Sequence, residues 1–299
     1  MIRKPLPFII AIILFTAITA EGQERFLTDE IGRRVKIPDS PRRIVSLAPS
    51  ITEILFALGL NNEIAGVTVY CDYPEIALEK PKIGGFVNPS MEKIVSLKPD
   101  LIIGTRDGNR WETIHRLNDL GFPVYLIDPK GFDGVIKMIK NIGEMVGRQK
   151  ESEKIVVGMM MRKEEIVTRT QFLPKPKVFF QVGYTPIITV GKGSLADDLI
   201  RFAGGRNISE NERANYPLYN IEAILERAPE IIIMSSMDGK GNHSDLIKMW
   251  QNWKDIPAVQ MKAIYVIDSN LVDRPSPRII KGLEIMTRMI HPNIMGEKQ

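Results

Sequence analysis

The sequence predicts two α/β lobes, each on a mainly parallel sheet, joined by a single long helix. Three observations predict this. One segment repeats at a spacing of 130 residues, short apolar runs alternate with helical segments in both halves, and a charged helical stretch lies between the copies.

The first element is a leader. Arg3 and Lys4 precede an apolar run from Phe8 to Phe15, extended through Ala17 and Ile18, and small residues follow at Ala20-Glu21-Gly22. This is the pattern of a secretory signal peptide over residues 1–22, cut after Ala20 or Gly22. A spanning helix needs roughly 20 apolar residues; this run is about half that, which favours cleavage over an uncleaved anchor. The single cysteine, Cys71, excludes an intramolecular disulfide and leaves no lipid-accepting cysteine beside the leader. The formal net charge of +4 is spread along the chain, with no basic tract for nucleic acid. The expected product is a periplasmic, globular and monomeric protein.

The repeat defines the lobes. Ser90-Met-Glu-Lys-Ile-Val-Ser-Leu-Lys-Pro-Asp-Leu-Ile-Ile103 aligns without a gap on Asn220-Ile-Glu-Ala-Ile-Leu-Glu-Arg-Ala-Pro-Glu-Ile-Ile-Ile233. Each copy reads as a short helix, a proline stop, an acidic residue and a buried strand. Val124–Asp128 resembles Ile264–Asp268, and Arg43–Leu47 resembles Lys177–Gln181. Leu101–Ile103, Val124–Ile127, Ile231–Met234 and Ile264–Ile267 are continuous apolar runs, the mark of parallel strands buried on both faces. Ser50-Ile-Thr-Glu53 has the spacing of a capping box, and Ser194-Leu-Ala-Asp197 is a weaker version. Strands alternating with helices give parallel sheets, which bind ligands at the carboxyl ends of their strands. The first lobe is expected over residues 23–131 and the second over 175–299.

Between them, residues 132–174 read as helix. Val135, Met138, Ile139, Ile142, Met145 and Val146 recur at helical spacing, and a second helical stretch runs from about Glu151 to Phe172 before Pro174. A helical tie predicts small opening and closing motions.

Motifs for catalysis are scarce. GxSxG, HExxH and CxxC are absent, and Val190-Gly-Lys-Gly-Ser194 lacks the spacing of a phosphate-binding loop, so it reads as a turn before a helix capped by Ser194. His115, His243 and His291 are too scattered for a metal site. Aromatic and polar residues instead gather in turns: Tyr70–Pro74, Gly84–Asn88, Thr105–Asn109, Gln181–Pro186, Asn215–Pro217 and Asp273–Arg278. Flat side chains with a few donors suit a large, flat ligand with polar edges. Tyr70, Tyr73, Phe86, Tyr184 and Tyr216 are candidates for apolar contact. Asp72, Arg106, Asn109, Arg274 and Arg278 are candidates for polar contact, Arg278 with a structural salt bridge as its alternative. Cys71 is either packed or in touch with ligand.

These residues carry a resemblance. Thr28–Pro38, then Arg42-Arg-Ile-Val-Ser-Leu-Ala-Pro-Ser-Ile-Thr-Glu-Ile-Leu-Phe-Ala-Leu-Gly59, Lys98-Pro-Asp-Leu-Ile102 and Arg274-Pro-Ser-Pro-Arg278 are similar to the periplasmic-binding proteins for cobalamin, iron-siderophores and haem. The resemblance implies two three-layer α/β lobes bridged by one long helix (the helical-backbone class of substrate-binding protein), no enzymatic activity and no cofactor. It also implies an ABC permease dimer with its ATPase subunits as partner. Tyr70-Cys-Asp-Tyr-Pro74 and Arg106-Asp-Gly-Asn109 resemble turns of the cobalamin-binding members, in which tryptophans stand where this chain has Phe86, Thr105, Tyr216 and Leu271. Cobalamin is therefore the first expected ligand, with a ferric siderophore or haem as alternative. Glu92 and Glu222, equivalent under the repeat, match the two glutamates that dock such receptors on their permease; a carboxylate in a first helical turn also favours the helix dipole. An enzyme of similar two-lobed build, such as the nitrogenase-like proteins, would hold its clusters through several cysteines, and this chain has one.

Overall fold

The first element of the computed structural model, which describes residues 24–236 and 243–294, is an antiparallel hairpin of β1 (Glu24–Thr28) and β2 (Arg34–Pro38). The leader expected over residues 1–22 lies outside the described residues. Buried Asp29 shapes the hairpin turn by accepting from the Ile31 and Arg33 amides at 3.2 and 2.7 Å.

The first lobe follows as β3 (Ile44–Ser46), α1 (Pro49–Ala57), β4 (Ile64–Val67), α2 (Met91–Ser96), β5 (Leu101–Thr105), α3 (Trp111–Asp119) and β6 (Val124–Ile127). Its strands lie in the order β4-β3-β5-β6 and are all parallel. Successive side chains on a strand face opposite ways, and the cores follow that rule. Ile44, Leu101, Ile103, Tyr125 and Ile127 pack on one side; Val45, Ile102, Val124 and Leu126 pack on the other against Ile94 of α2 and Ile114 and Leu117 of α3. Burial on both faces removes the alternation of polar and apolar residues, which is why these strands read as unbroken apolar runs.

The connector is α4 (Gly131–Met145) and α5 (Gln149–Thr170). Phe132, Val135, Met138, Ile139, Ile142 and Met145 are all buried, so the helical stripe of α4 faces the first lobe. Helix α5, 22 residues and about 33 Å long at 1.5 Å per residue, is shared. Its Val156 and Met159 join the first lobe's core and its Ile166 joins the second's.

The second lobe comprises β7 (Lys177–Tyr184), β8 (Ile187–Thr189), α6 (Leu195–Phe202), β9 (Arg206–Asn207), β10 (Leu218–Tyr219), α7 (Ile221–Arg227), β11 (Ile231–Ser236), α8 (His243–Gln251), α9 (Pro257–Gln260), β12 (Ile264–Asp268), α10 (Ser269–Val272) and α11 (Ile279–Ile290). Its sheet runs β10-β8-β7-β11-β12, with β9 beside β7. Val178, Phe180, Ile231 and Ile233 face α6, α10 and α11, while Phe179, Ile232 and Met234 face α7, α8 and α9. Each lobe is thus three layers.

The repeat is visible in the fold. Parallel β3-β5-β6 corresponds to parallel β7-β11-β12. Asp100 accepts from the Arg42 and Arg43 amides at 2.7 and 2.9 Å, and its equivalent Glu230 accepts from Lys177 at 2.8 Å, so each acid fastens the start of the neighbouring strand. Lys98 and Ala228, both left-handed at φ 45° and 48°, end α2 and α7 before buried Pro99 and Pro229.

Three readings change. The copies diverge at one sheet edge, where β4 is parallel but β8 is an antiparallel hairpin partner of β7. Strand β12 is only partly buried, whereas its counterpart β6, also at a sheet edge, is buried throughout. Ser50-Ile-Thr-Glu53 is not a capping box: α1 starts earlier, at Pro49 after an extended Ala48, and Glu53 turns away to the other lobe. Ser194 does cap α6, accepting from the Asp197 amide at 3.2 Å.

Candidate functional site

A cavity of about 830 Å³ opens between the lobes. It lies at the carboxyl ends of the strands, lined by residues that follow β3, β5, β6 and β12, where open α/β sheets bind ligands. Its size is within the range of small-molecule sites, roughly 300–1,000 Å³.

Flat apolar surfaces come from both sides: Tyr70 and Phe86 from the first lobe, Tyr216 from the second. Phe86 is held in place. A methyl group on Gly108 would sit 1.8 Å from the Phe86 ring, so only glycine lets the ring lie on that backbone. Asn109 fixes the same loop from beneath. It donates to the Phe86 carbonyl at 2.9 Å and accepts from the Thr105 amide at 2.8 Å. The Tyr216 hydroxyl is pushed above its ordinary range by burial, then by the charges of Asp273 and Asp107, which face it from opposite lobes.

Under the cavity, Glu53 of α1 ties the lobes together. Its carboxylate is almost wholly buried and accepts from Ser276 at 2.6 Å and from Arg274 and Arg278 at 3.2 Å each. Arg274 also pairs with Asp72 at 2.7 Å and reaches the Tyr70 carbonyl at 3.4 Å. Arg278 lies 4.0 Å from the centre of the Tyr73 ring. A second inter-lobe tie lies behind, where Asp198 of α6 accepts from the Phe132 amide at the start of α4, at 2.8 Å.

The residues singled out in the sequence therefore divide. Tyr70, Phe86, Tyr216 and Arg274 line the cavity. Asp72, Tyr73 and Arg278 belong to the inter-lobe network, Arg278 taking its structural alternative. Arg106 pairs with Asp128 at 3.1 Å, Asn109 is buried beneath the wall, and Tyr184 donates to the Ser235 carbonyl at 2.6 Å. These six lie outside the lining, and the fold supplies each a partner within the protein. Of the positions that bear tryptophan in the cobalamin-binding members, Phe86, Thr105 and Tyr216 line the cavity and Leu271 is core. Cys71 is packed, between the Thr52 and Thr68 hydroxyls at 3.2 Å each. The segment Asp273–Arg278 joins two helices rather than following a strand.

Asp107, Asp128, Lys130, Asn215, Asn270 and Asp273 line the cavity too. Their signal in the sequence was position, since most flank the aromatic turns or follow a strand end. Among the described residues no group of three or more His, Cys, Asp or Glu side chains could hold a metal ion. No helix among them is long and apolar enough to cross a membrane.

Asp273 is the most perturbed acid on the wall. Desolvation raises its carboxyl to about 6, opposed by the hydroxyl it accepts from Ser235 and reinforced by Asp268. A raised acid pKa favours the neutral form in the folded state. Asp273 therefore costs nothing below about pH 4, and the cost grows to a plateau above pH 6. With allowance for its opening to water, the plateau is about 1–2 kcal/mol. Asp273→Asn should raise Tm by roughly 2–5 °C at pH 8 and by almost nothing at pH 4. An equal gain at both pH values would show that the charge is not the cause.

Glu92 and Glu222 each occupy the second position of a helix, α2 and α7, behind Ser90 and Asn220 caps that accept from Lys93 and Ala223 at 3.3 and 2.9 Å. Both are exposed, and neither forms an ion pair among the described residues. Each cap takes up one amide of its helix end without using the carboxylate.

Comparison with known proteins agrees with this architecture. The vitamin B12-binding protein of Vibrio vulnificus is 31% identical over 250 residues, covering 81% of this chain and 87% of its own length. The ABC transporter substrate-binding lipoprotein YvrC of Bacillus subtilis is 30% identical over 278 residues, covering 91% of this chain and 87% of its own. The crystal structure of the periplasmic vitamin B12 binding protein BtuF of Vibrio cholerae matches with a TM-score of 0.74 at 29% identity, over 85% of this chain and 98% of that one. The model of one family, the periplasmic binding proteins, matches residues 44–271. With that match, two three-layer lobes and a ligand-sized cleft between them, the chain belongs to the periplasmic binding protein family, and it is a binding protein rather than an enzyme.

Proposed function

We propose that the chain is the exported substrate-binding component of an ABC importer, that it carries a corrinoid of the cobalamin type in the inter-lobe cleft, and that Glu92 and Glu222 dock it on a permease dimer. The observation that carries the ligand reading is that flat side chains from both lobes line one cavity, Tyr70 and Phe86 from the first and Tyr216 from the second. A macrocycle presents two broad faces to such walls, and its polar edge meets amides and hydroxyls around them. The similarity to B12-binding proteins supports the same ligand. The docking reading is supported by two exposed carboxylates at equivalent positions of the repeat.

Titration calorimetry of the mature protein with cyanocobalamin tests the ligand. Saturable one-to-one binding is expected, weakened about 10-fold by Phe86→Ala and by Tyr216→Ala, since loss of an aromatic contact costs on the order of 1–2 kcal/mol. Silence with cyanocobalamin, together with binding of a ferric siderophore or of haemin with a Soret band, would move the ligand and keep the receptor.

A further inference from the structure

We infer that the cleft filters chelates by charge, admitting those whose edges are uncharged or cationic and rejecting those that carry carboxylates. This rests on the corrinoid reading and narrows it. Among the described residues the cavity wall holds two cationic side chains, Lys130 and Arg274, and both are already neutralised. Lys130 Nζ lies 3.1 Å from Asp107 and 2.8 Å from Asp128. Arg106 adds its own pairing to Asp128 from outside the lining. Arg274 sits between Glu53 and Asp72, which also hold the two lobes in register, so turning it towards a ligand would dismantle the inter-lobe network. Asp273 is the remaining charged group of the wall, and among the described residues it forms no ion pair and accepts from the Ser235 hydroxyl.

Among the described residues a carboxylate entering the cleft thus finds no unpaired cation on the wall. It must compete with Asp107 and Asp128 for Lys130, and it meets Asp273 as a like charge; close like-charge contact is costly. An amide edge meets neither problem. It can donate to the wall carboxylates and exchange hydrogen bonds with Asn88, Asn215 and Asn270, whose side chains line the same cavity. Replacing one edge amide of the ligand by a carboxylate keeps its shape and changes only this interaction.

The test compares two corrinoids on the full mature protein by calorimetry at pH 7.5: cyanocobalamin and its monocarboxylic acid, in which one peripheral amide is hydrolysed. The acid is expected to bind on the order of 30-fold more weakly, and Asp273→Asn is expected to shrink that ratio several-fold, whatever it does to either affinity alone. Equal affinities in the wild type, or a ratio that Asp273→Asn leaves unchanged, would overturn the filter while leaving the corrinoid reading intact. Should neither corrinoid bind, the corrinoid reading fails and the filter is read on ferric chelates. Binding of a cationic trihydroxamate chelate without a tris-catecholate or haemin would uphold it, and binding of either anionic chelate would overturn it too.

Discussion

Changing Glu92 and Glu222 together to Ala abolishes uptake and leaves ligand affinity as it was; this is the largest functional effect expected. Both carboxylates lie far from the cavity in the chain's logic, on the first turns of α2 and α7, and neither lines it. Truncating one partner of an ion pair that becomes buried on docking costs about 2 kcal/mol or more. Two such losses lower the affinity for the permease about 1,000-fold or more, whereas a single change leaves partial uptake. Radiolabelled ligand uptake in cells whose only receptor is the variant, run beside calorimetry on the purified protein, separates the two properties. Undiminished uptake by the double variant would end the docking assignment. The helix-dipole role of the same carboxylates, about 0.3–1 kcal/mol each, predicts a small drop in Tm and no effect on uptake.

The second large effect is on stability. Glu53→Ala removes one carboxylate that satisfies Ser276, Arg274 and Arg278 at once. Arg274 keeps Asp72, but Arg278 keeps only the face of Tyr73. Breaking a buried pair costs about 3–5 kcal/mol, and the lower end applies because both guanidinium groups reach some water. A loss of about 3 kcal/mol lowers Tm by roughly 6–10 °C. Glu53→Gln, which keeps the shape and an acceptor for Ser276, should lose less. Calorimetric melting decides it, and an unchanged Tm for Glu53→Ala would show that the network holds nothing together.

The repeat made the strands legible because parallel strands buried on both faces carry an unbroken apolar signal, as in Leu101–Ile103 and Ile231–Met234. It also made Glu92 and Glu222 legible as a pair. Glu53 was misread for a physical reason. Its spacing from Ser50 is a local pattern, while its partners are more than 220 residues away, and sequence order carries no trace of that contact. Arg106, Asn109 and Tyr184 illustrate the same limit. A polar side chain beside a strand end can bond a ligand or the protein's own backbone with equal chemistry, and only the fold decides which. The aromatic residues were easier, since Phe86 and Tyr216 both lie in turns rich in glycine, asparagine and proline, where a large ring stands out; Phe86 packs one side on the first core and Tyr216 is exposed.

One buried residue couples the two ends of the chain. Ile279, at the start of α11, is wholly buried among the side chains of the first lobe, beside α4 and the first sheet. The first lobe therefore takes part of its core from the far end of the second, although its own last strand ends at Ile127. A chain that lacks α11 would leave that place in the first lobe's core unfilled, and exposed apolar surface makes partly folded chains prone to association. Damage to the last helix would thus be felt in the lobe that the chain begins with.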